Sequence, residues 1–180
     1  MNVSFHHGVF MTPEKQTYVE NYLLIDGSEL RFQNIGDSIF QSQIEVTYIF
    51  EQRGTVIDFS KTIVKSPFTG DTIHKLSDFV DQQRFFIPVG MYQLTIRLKD
   101  LNNLSDTVNS VQAIDVRVDN YSVFFSDIYL VSKAEPTENP NIYSRNGTDY
   151  YPRISPFYPG EANELFFYAE LYNTHEKLGK

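Results

Sequence analysis

Residues 39–50 read Ile-Phe-Gln-Ser-Gln-Ile-Glu-Val-Thr-Tyr-Ile-Phe, and this stretch decides the fold class. Apolar and polar side chains alternate along most of it. Successive side chains of a β-strand point to opposite faces, so alternation gives one apolar and one polar face. The predicted inward face consists of Phe40, Ile44, Val46, Tyr48 and Phe50, opposite Gln41, Gln43, Glu45 and Thr47. The pattern predicts a half-buried antiparallel strand.

The same alternation recurs twice further along the chain. Residues 91–100 and 112–118 are predicted strands, with inward side chains from Tyr92, Leu94, Ile96, Leu98, Ile114, Val116 and Val118. Weaker strands are predicted at 18–26, 29–33, 56–64 and 84–89, with a hairpin corner at Arg53-Gly54. Only residues 72–82 suggest a short helical turn. About seven strands with regular turn signals predict an all-β fold, an immunoglobulin-like or fibronectin-like antiparallel β-sandwich.

The predicted sandwich occupies residues 1–119, and residues 120–180 are predicted to begin a second β domain. Residues 121–132 are strand-like with apolar side chains on both faces, so we expect both faces to be covered. Residues 134–163 carry five prolines and many Asn, Ser and Gly residues, which predicts a long irregular loop. Residues 165–172 return to a β pattern. Because two or three strands do not close a sandwich, either the chain is part of a longer protein, which we favour, or these strands extend the sheet of the first domain.

Composition excludes several classes of function. The chain carries 15 Phe and 12 Tyr, and aromatic residues favour sheets. Its net charge is -8 and its basic residues are scattered, which argues against binding nucleic acid or anionic membranes. It has no cysteine for a disulfide or a thiolate site. We find no apolar run long enough for a transmembrane segment, and no signal peptide in residues 1–10.

Four phrases resemble the GWxTD-domain family of Bacteroidetes-type bacteria. They are Tyr-Val-Glu-Asn-Tyr-Leu at 18–23, Pro-Val-Gly-Met-Tyr-Gln-Leu at 88–94, Ser-Asp-Ile-Tyr-Leu at 126–130 and Leu-Phe-Phe-Tyr-Ala-Glu-Leu-Tyr-Asn at 165–173. The Gly-Trp-x-Thr-Asp motif is absent, so the likeness is to the N-terminal β-rich region. It implies an extracytoplasmic protein of the bacterial envelope (periplasmic, surface-bound or secreted). It supplies no catalytic residues.

No catalytic, cofactor or metal site is predicted. Asp78 and Asp81 could pair with Glu14 or Glu20 as general acid and base, but such a pair works only where geometry separates the two pKa values. The histidines have no partners at ligand spacing, and His6-His7 would point to opposite faces of a strand. The sequence contains no Gly-x-Ser-x-Gly elbow, phosphate-binding glycine loop or His-Glu-x-x-His motif.

Aromatic residues of the proline-rich loop are the candidate contact residues for a ligand or partner. They are Tyr143, Tyr150, Tyr151, Phe157 and Tyr158. Such rings stack on sugars or anchor a protein partner, and they also pack a loop onto the sheet beneath it. The sequence therefore predicts a non-catalytic β-sandwich module for protein–protein contact or assembly, with carbohydrate binding through the tyrosine-rich loop as the alternative.

Overall fold

The computed structural model describes residues 1–72, 76–119, 121–154 and 164–179. Almost all regular structure is β-strand, which confirms the predicted all-β, sandwich-type class. In chain order the strands are β1 (Val3–Met11), β2 (Thr17–Ile25), β3 (Gln33–Gly36), β4 (Ile39–Gln41), β5 (Gln43–Gln52), β6 (Thr55–Lys65), β7 (Phe79–Phe85), β8 (Gly90–Asp100), β9 (Thr107–Val116), β10 (Phe124–Phe125), β11 (Tyr129–Pro136), β12 (Ser144–Arg145), β13 (Thr148–Pro152), β14 (Phe166–Tyr168) and β15 (Leu171–Tyr172). One short helix, α1 (Thr174–Leu178), follows. No helix among the described residues has the length and apolar character needed to cross a membrane.

The chain forms two compact units, each assembled from separate segments. Unit 1 comprises Met1–Val3, Leu24–Asp81 and Gly90–Val116, and unit 2 comprises Ser4–Leu23, Gln82–Val89 and Arg117–Lys180. This division differs from the predicted boundary at residue 119, because residues 4–23 and 82–89 group with the C-terminal residues. Strands β1 and β2 supply Phe10 and Tyr18 to the buried cluster of unit 2, and β7 supplies Gln82 and Arg84, which hydrogen-bond to Glu20. The immunoglobulin-like type and the predicted domain ranges stay predictions.

Unit 1 is built on an antiparallel sheet with the strand order β6-β5-β8-β9. Its inner face carries the alternating residues that the sequence predicts, and Ile44, Val46, Tyr48 and Phe50 are all 0% exposed. The inward residues of β8 are buried too, as are Ile114 and Val116. Phe40 and Val118 are only half-buried. The alternation was therefore a correct guide to the core.

A tight turn joins β5 to β6 where the sequence predicts a hairpin corner. Gln52 pairs with Thr55, and the two residues between them, Arg53 and Gly54, have φ of 52° and 78°. Two positive φ values in a two-residue loop are typical of a type I′ turn, whose twist matches that of the flanking strands. The turn and a β-bulge between Phe50 and Glu51 together set the register of β5 and β6, in which Tyr48 pairs with Ser60.

Unit 2 contains a four-stranded sheet, order β12-β13-β11-β14, and the two-stranded pair β10-β15. A three-stranded sheet, order β1-β2-β7, contributes residues to both units. The core of unit 2 is aromatic, with Phe10, Tyr18, Tyr129 and Val131 buried together and Tyr150 and Tyr168 packed against them. Because these residues come from distant parts of the chain, long-range contacts hold unit 2 together.

Several local predictions were wrong. Residues 29–33 do not form a strand, and the predicted helical turn at 72–82 instead enters β7, with residues 73–75 outside the described residues. The proline-rich stretch contains the β12–β13 hairpin, whose Asn146-Gly147 turn has φ of 50° and 80°. The stretch at 121–132 is not covered on both faces, because Phe125 and Ile128 are exposed. The sequence also gave no sign of β1.

Candidate functional site

A buried carboxylate lies at the centre of unit 2. The Glu20 side chain on β2 is 0% exposed, and its carboxylate accepts hydrogen bonds from four side chains. Oε1 accepts from Arg84 Nε at 2.5 Å and from Gln82, while Oε2 accepts from the Tyr22 hydroxyl at 2.6 Å and from Arg145. A buried charge is tolerated when it is paired and fully hydrogen-bonded, and Glu20 meets both conditions.

Arg145 is the main partner of this carboxylate, and aromatic rings surround its guanidinium. The side chain is 9% exposed. Its guanidinium carbon lies 5.0 Å from the ring centroids of Phe10 and Tyr168, and 5.7 Å from that of Tyr129. A cation over a ring face is attracted by the ring quadrupole, and more strongly where water is excluded. The Arg145 guanidinium is therefore held by aromatic rings packed against it and by the Glu20 carboxylate, to which it donates a hydrogen bond.

A second carboxylate continues the network toward the surface. Arg145 Nη1 lies 3.5 Å from Glu170 Oε1, and the Tyr168 hydroxyl donates to the same oxygen at 2.7 Å. Glu170 Oε2 accepts from the Tyr172 hydroxyl. The Glu170 side chain is 24% exposed, so this end of the network meets solvent. The arginines Arg84 and Arg145 balance the two carboxylates, which leaves the cluster without net charge.

Local sequence explains how Arg145 reaches this position. Arg145 is the last residue of β12, directly before the Asn146-Gly147 turn, and it pairs with Thr148. Asn and Gly both tolerate positive φ, so the chain reverses within two residues and keeps the arginine in the ladder. Glu20 sits within the strand Thr17–Ile25, which is buried over nearly its whole length. A single acid in such a strand indicates that its carboxylate is paired with another buried group, because charged side chains are rarely buried without a partner.

The network shifts the pKa values of its members. Burial disfavours the charge on Arg145, but Glu20 and the hydrogen bond to Tyr18 outweigh this, and the pKa of Arg145 lies above its ordinary value. Burial, followed by the Glu20 charge, raises the pKa of Tyr22. Burial also raises the pKa of Tyr129 to about 12. At neutral pH both tyrosines are therefore uncharged, and Tyr22 donates its hydroxyl hydrogen to Glu20.

An open cleft of about 860 Å³ lies over this network within unit 2. Its walls include Tyr18, Phe86, Tyr172 and Leu171, with the half-exposed Arg84 on one side. Phe86 is 62% exposed, and its ring centroid lies 6.1 Å from that of Tyr18. The cleft thus combines an exposed ring with planar charged groups that are held in place by the cluster below.

The structure separates the aromatic residues that the sequence predicts as contact residues. Tyr150 packs into the core, with its ring centroid 4.8 Å from that of Tyr168. Tyr143 and Tyr151 instead form a half-exposed pair 5.3 Å apart, and Lys133 Nζ lies 5.8 Å from the Tyr151 ring. Phe157 and Tyr158 lie outside the described residues. Of the three candidates that the structure describes, Tyr143 and Tyr151 present ring surface together.

Glu20, one of the carboxylates considered for a catalytic pair, accepts its hydrogen bonds from two arginines, a tyrosine and a glutamine. In the described part of the chain, no group of three or more His, Asp or Glu side chains could hold a metal ion. His6 and His7 are half-buried neighbours, and burial lowers the pKa of both. His74 lies outside the described residues.

Unit 1 presents a different kind of candidate site, on the face of its sheet opposite the core. We call this the outer face. Strand register aligns Phe59, Ile49, Thr95 and Val111 side by side across β6, β5, β8 and β9. We call these four residues the central row. Phe59 and Val111, at its two ends, are each 55% exposed, and Ile63 and Val56 extend the apolar surface along β6.

Charges on the outer face are divided by the central row. On one side lie Lys61, Lys65, Arg97 and Lys99 with the single acid Glu45, which pairs with Lys61 at 2.9 Å. We call this side the basic flank. On the other side the outward-facing sheet positions carry the acids Glu51 and Asp115, and we call this side the acidic flank. The basic residue Arg53 lies in the turn beyond this flank. The outer face therefore has an apolar middle between ends of opposite sign.

Comparisons with known proteins found no matching family model, no matching curated protein and no matching solved structure.

Proposed function

We propose that this chain is a non-catalytic interaction module that binds a protein partner through the outer face of unit 1. The central row carries the proposal: four aligned residues, three of them apolar, span a sheet in which Phe59 and Val111 remain 55% exposed. Scattered apolar residues on a surface are ordinary, whereas a contiguous apolar patch with a polar rim is typical of a protein contact.

The energetics favour such a contact. Burying a large apolar side chain contributes roughly 1.5–3 kcal/mol, and a few well-packed anchors dominate a typical interface. Phe59 has the largest side chain of the central row, and its cross-strand neighbour Ile49 would complete an apolar centre. The charged flanks would form the polar rim and select partners of complementary charge.

We further propose that the module works outside the cytoplasm, in a bacterial envelope. The resemblance of four strand phrases to the GWxTD-domain family supports this location. The same resemblance supports a role in assembly rather than in chemistry. The ionic cluster of unit 2 fits this proposal, because its carboxylates are held by arginine and tyrosine donors rather than being available as a general base.

Site-specific photo-crosslinking tests the proposed contact. A photoreactive phenylalanine at position 59 is expected to capture a discrete protein, while the same group at Lys133, exposed on unit 2, captures none. The captured protein, once purified, should bind the unmodified chain and bind the Phe59→Glu variant about tenfold or more weakly. Equal binding by both variants would contradict the proposal.

Carbohydrate binding is a second candidate, supported by the cleft of unit 2. Phe86 offers an exposed ring beside the planar groups of Arg84 and Glu170, which suits an uncharged sugar with one apolar face and several hydroxyl groups. The Tyr143–Tyr151 pair offers a smaller platform. A glycan array would test both: loss of binding in Phe86→Ala favours the cleft, and loss in Tyr151→Ala favours the pair. A blank array would remove this candidate.

A further inference from the structure

The partner of the outer face can be derived from the arrangement of its charges, and this step rests on the proposed function. Other sets of paired residues run across the sheet parallel to the central row. Taken in order along the strands, they show where positive and negative side chains lie. Lys61 pairs across to Thr47, which pairs to Arg97, and Glu45 pairs to Lys99 in the next row. Beyond the central row in the other direction come Glu51 and then Asp115. The sign of the charge changes at the apolar row.

A surface with this pattern is complementary to itself in one orientation. Two copies stacked face to face have a twofold axis in the plane between them. An axis along the central row superposes the row on its own copy and sets each basic flank over the partner copy's acidic flank. An axis along the strands would instead place basic flank over basic flank, which like-charge repulsion disfavours. Only the first arrangement satisfies both the apolar and the charged parts of the face.

We propose that the partner is a second copy of this chain, bound through the outer face with the twofold axis along the central row. The contact is isologous, so each residue of one flank meets the opposite flank of the partner copy. Two packed sheets lie about 10 Å apart, a gap that Phe59, Ile49 and Val111 from both copies can fill. Arg97 and Lys99 are long enough to reach across the edge of that gap.

The exposed fractions agree with this arrangement. Edge-strand residues on the outer face, such as Phe59 and Val111, are accessible, whereas Thr95 in the middle of the sheet is only 5% exposed. Rotation about an axis along the row sets each of its residues over the same residue of the partner copy, so the two Ile49 side chains meet near the axis beside the short Thr95. The apolar centre supplies affinity, and the flanks supply orientation and partner choice.

A charge-swap experiment on the full chain tests the orientation. Variant A carries Arg97→Glu and Lys99→Glu, and variant B carries Glu51→Lys and Asp115→Lys. Sedimentation velocity at physiological ionic strength should show the wild type dimerising with rising concentration. Variants A and B alone should each associate about tenfold or more weakly, because both of their flanks now carry the same sign. Mixing A with B should restore the dimer as a heterodimer.

A matched control changes charge elsewhere. Lys133→Glu with Lys177→Glu alters net charge as much as variant A does, but on exposed residues of unit 2, and it should dimerise like the wild type. Circular dichroism verifies that every variant is folded. A wild type that stays monomeric up to submillimolar concentration would overturn the second-copy proposal. So would a mixture of A and B that fails to associate.

The crosslinking experiment separates this proposal from the proposed function. A photoreactive group at position 59 that captures another copy of the chain supports both. Capture of a different protein, together with a monomeric wild type, overturns the second copy and leaves the protein-contact function standing. Capture of nothing at position 59 overturns both.

Discussion

Each unit of the molecule buries one carboxylate completely, and the two carboxylates are satisfied in different ways. Asp100 in unit 1 accepts hydrogen bonds from backbone N–H groups, those of Arg31, Asn102 and Asn103, at 2.7–3.2 Å. Glu20 in unit 2 depends on side chains, above all on Arg145, which is 125 residues away in sequence. Unit 1 therefore satisfies its buried carboxylate with neutral backbone donors, from the adjoining loop and from Arg31, whereas unit 2 needs a distant cation.

The difference extends to the rest of each unit. The inner face of unit 1 is mostly apolar, and the basic residues of its sheet lie on the outer face. Unit 2 uses charge inside, to hold rings and strands from separate parts of the chain in one arrangement. Charge therefore supports folding in unit 2 and is proposed to direct recognition in unit 1.

Removing the buried cation should have the largest effect on stability. Arg145→Met keeps much of the side-chain volume but leaves Glu20 buried beside a single half-exposed arginine. Breaking a buried pair in this way costs about 3–5 kcal/mol. Denaturant unfolding, followed by tyrosine fluorescence, should show this loss for unit 2.

Two further variants serve as a control and a rescue for Arg145→Met. Lys133→Met breaks an exposed ion pair with Glu135 and should leave stability essentially unchanged. Glu20→Gln combined with Arg145→Met should recover part of the loss, since it removes the unpaired charge. If Arg145→Met were as stable as the wild type, the ionic cluster would not support unit 2.

Truncation on the two faces of the unit 1 sheet should give unequal losses. Ile96, on the inner face, is 1% exposed, so Ile96→Ala removes buried contacts and leaves a cavity, at a cost of about 2–5 kcal/mol. Val111→Ala on the outer face should change monomer stability by about 0.5 kcal/mol or less. Thermal unfolding of dilute samples measures both, and similar losses would mean that the outer face is covered within the monomer.

A smaller effect concerns acid sensitivity of unit 2. Burial lowers the pKa of His6 and His7 below the ordinary value of 6.5 in the folded state, so protonation favours unfolding. Stability is complete above that value and falls as the pH decreases through it toward the folded pKa. The melting temperature should therefore drop between about pH 7.5 and about pH 5.5, and drop less in a His6→Gln, His7→Gln variant. Equal drops would assign the acid sensitivity to other groups.

The sequence predicted unit 1 better than unit 2 for a physical reason. In β5 and β8 a strict period of two corresponds to one buried and one exposed face, so Ile44 and Leu94 could be identified as core residues. In β2 almost every residue is buried, and periodicity carries no information there. Strand β1 was missed because its histidines and small residues blur the alternation.

The candidate sites were harder to predict because they depend on pairing between distant residues. Nothing local to Glu20 or Arg145 indicates that the two meet, although an acid within a buried strand signals the need for a partner. The sequence predicted that the aromatic residues of the loop take part in contacts. It did not show, however, that Tyr150 packs against the core while Tyr151 is half-exposed. The central row could be identified only from the register in which the strands pair, and the sequence alone does not give that register.

Methyl NMR spectra recorded over a dilution series test whether the outer face of unit 1 is a contact surface. If the outer face of unit 1 is the contact surface, the methyl signals of Ile49, Ile63 and Val111 will shift with concentration, while those of the core residues Ile44 and Ile96 stay constant. In variant A the outer-face signals will stay at their dilute positions. Outer-face signals that do not respond to concentration, or shifts confined to unit 2, would contradict the account.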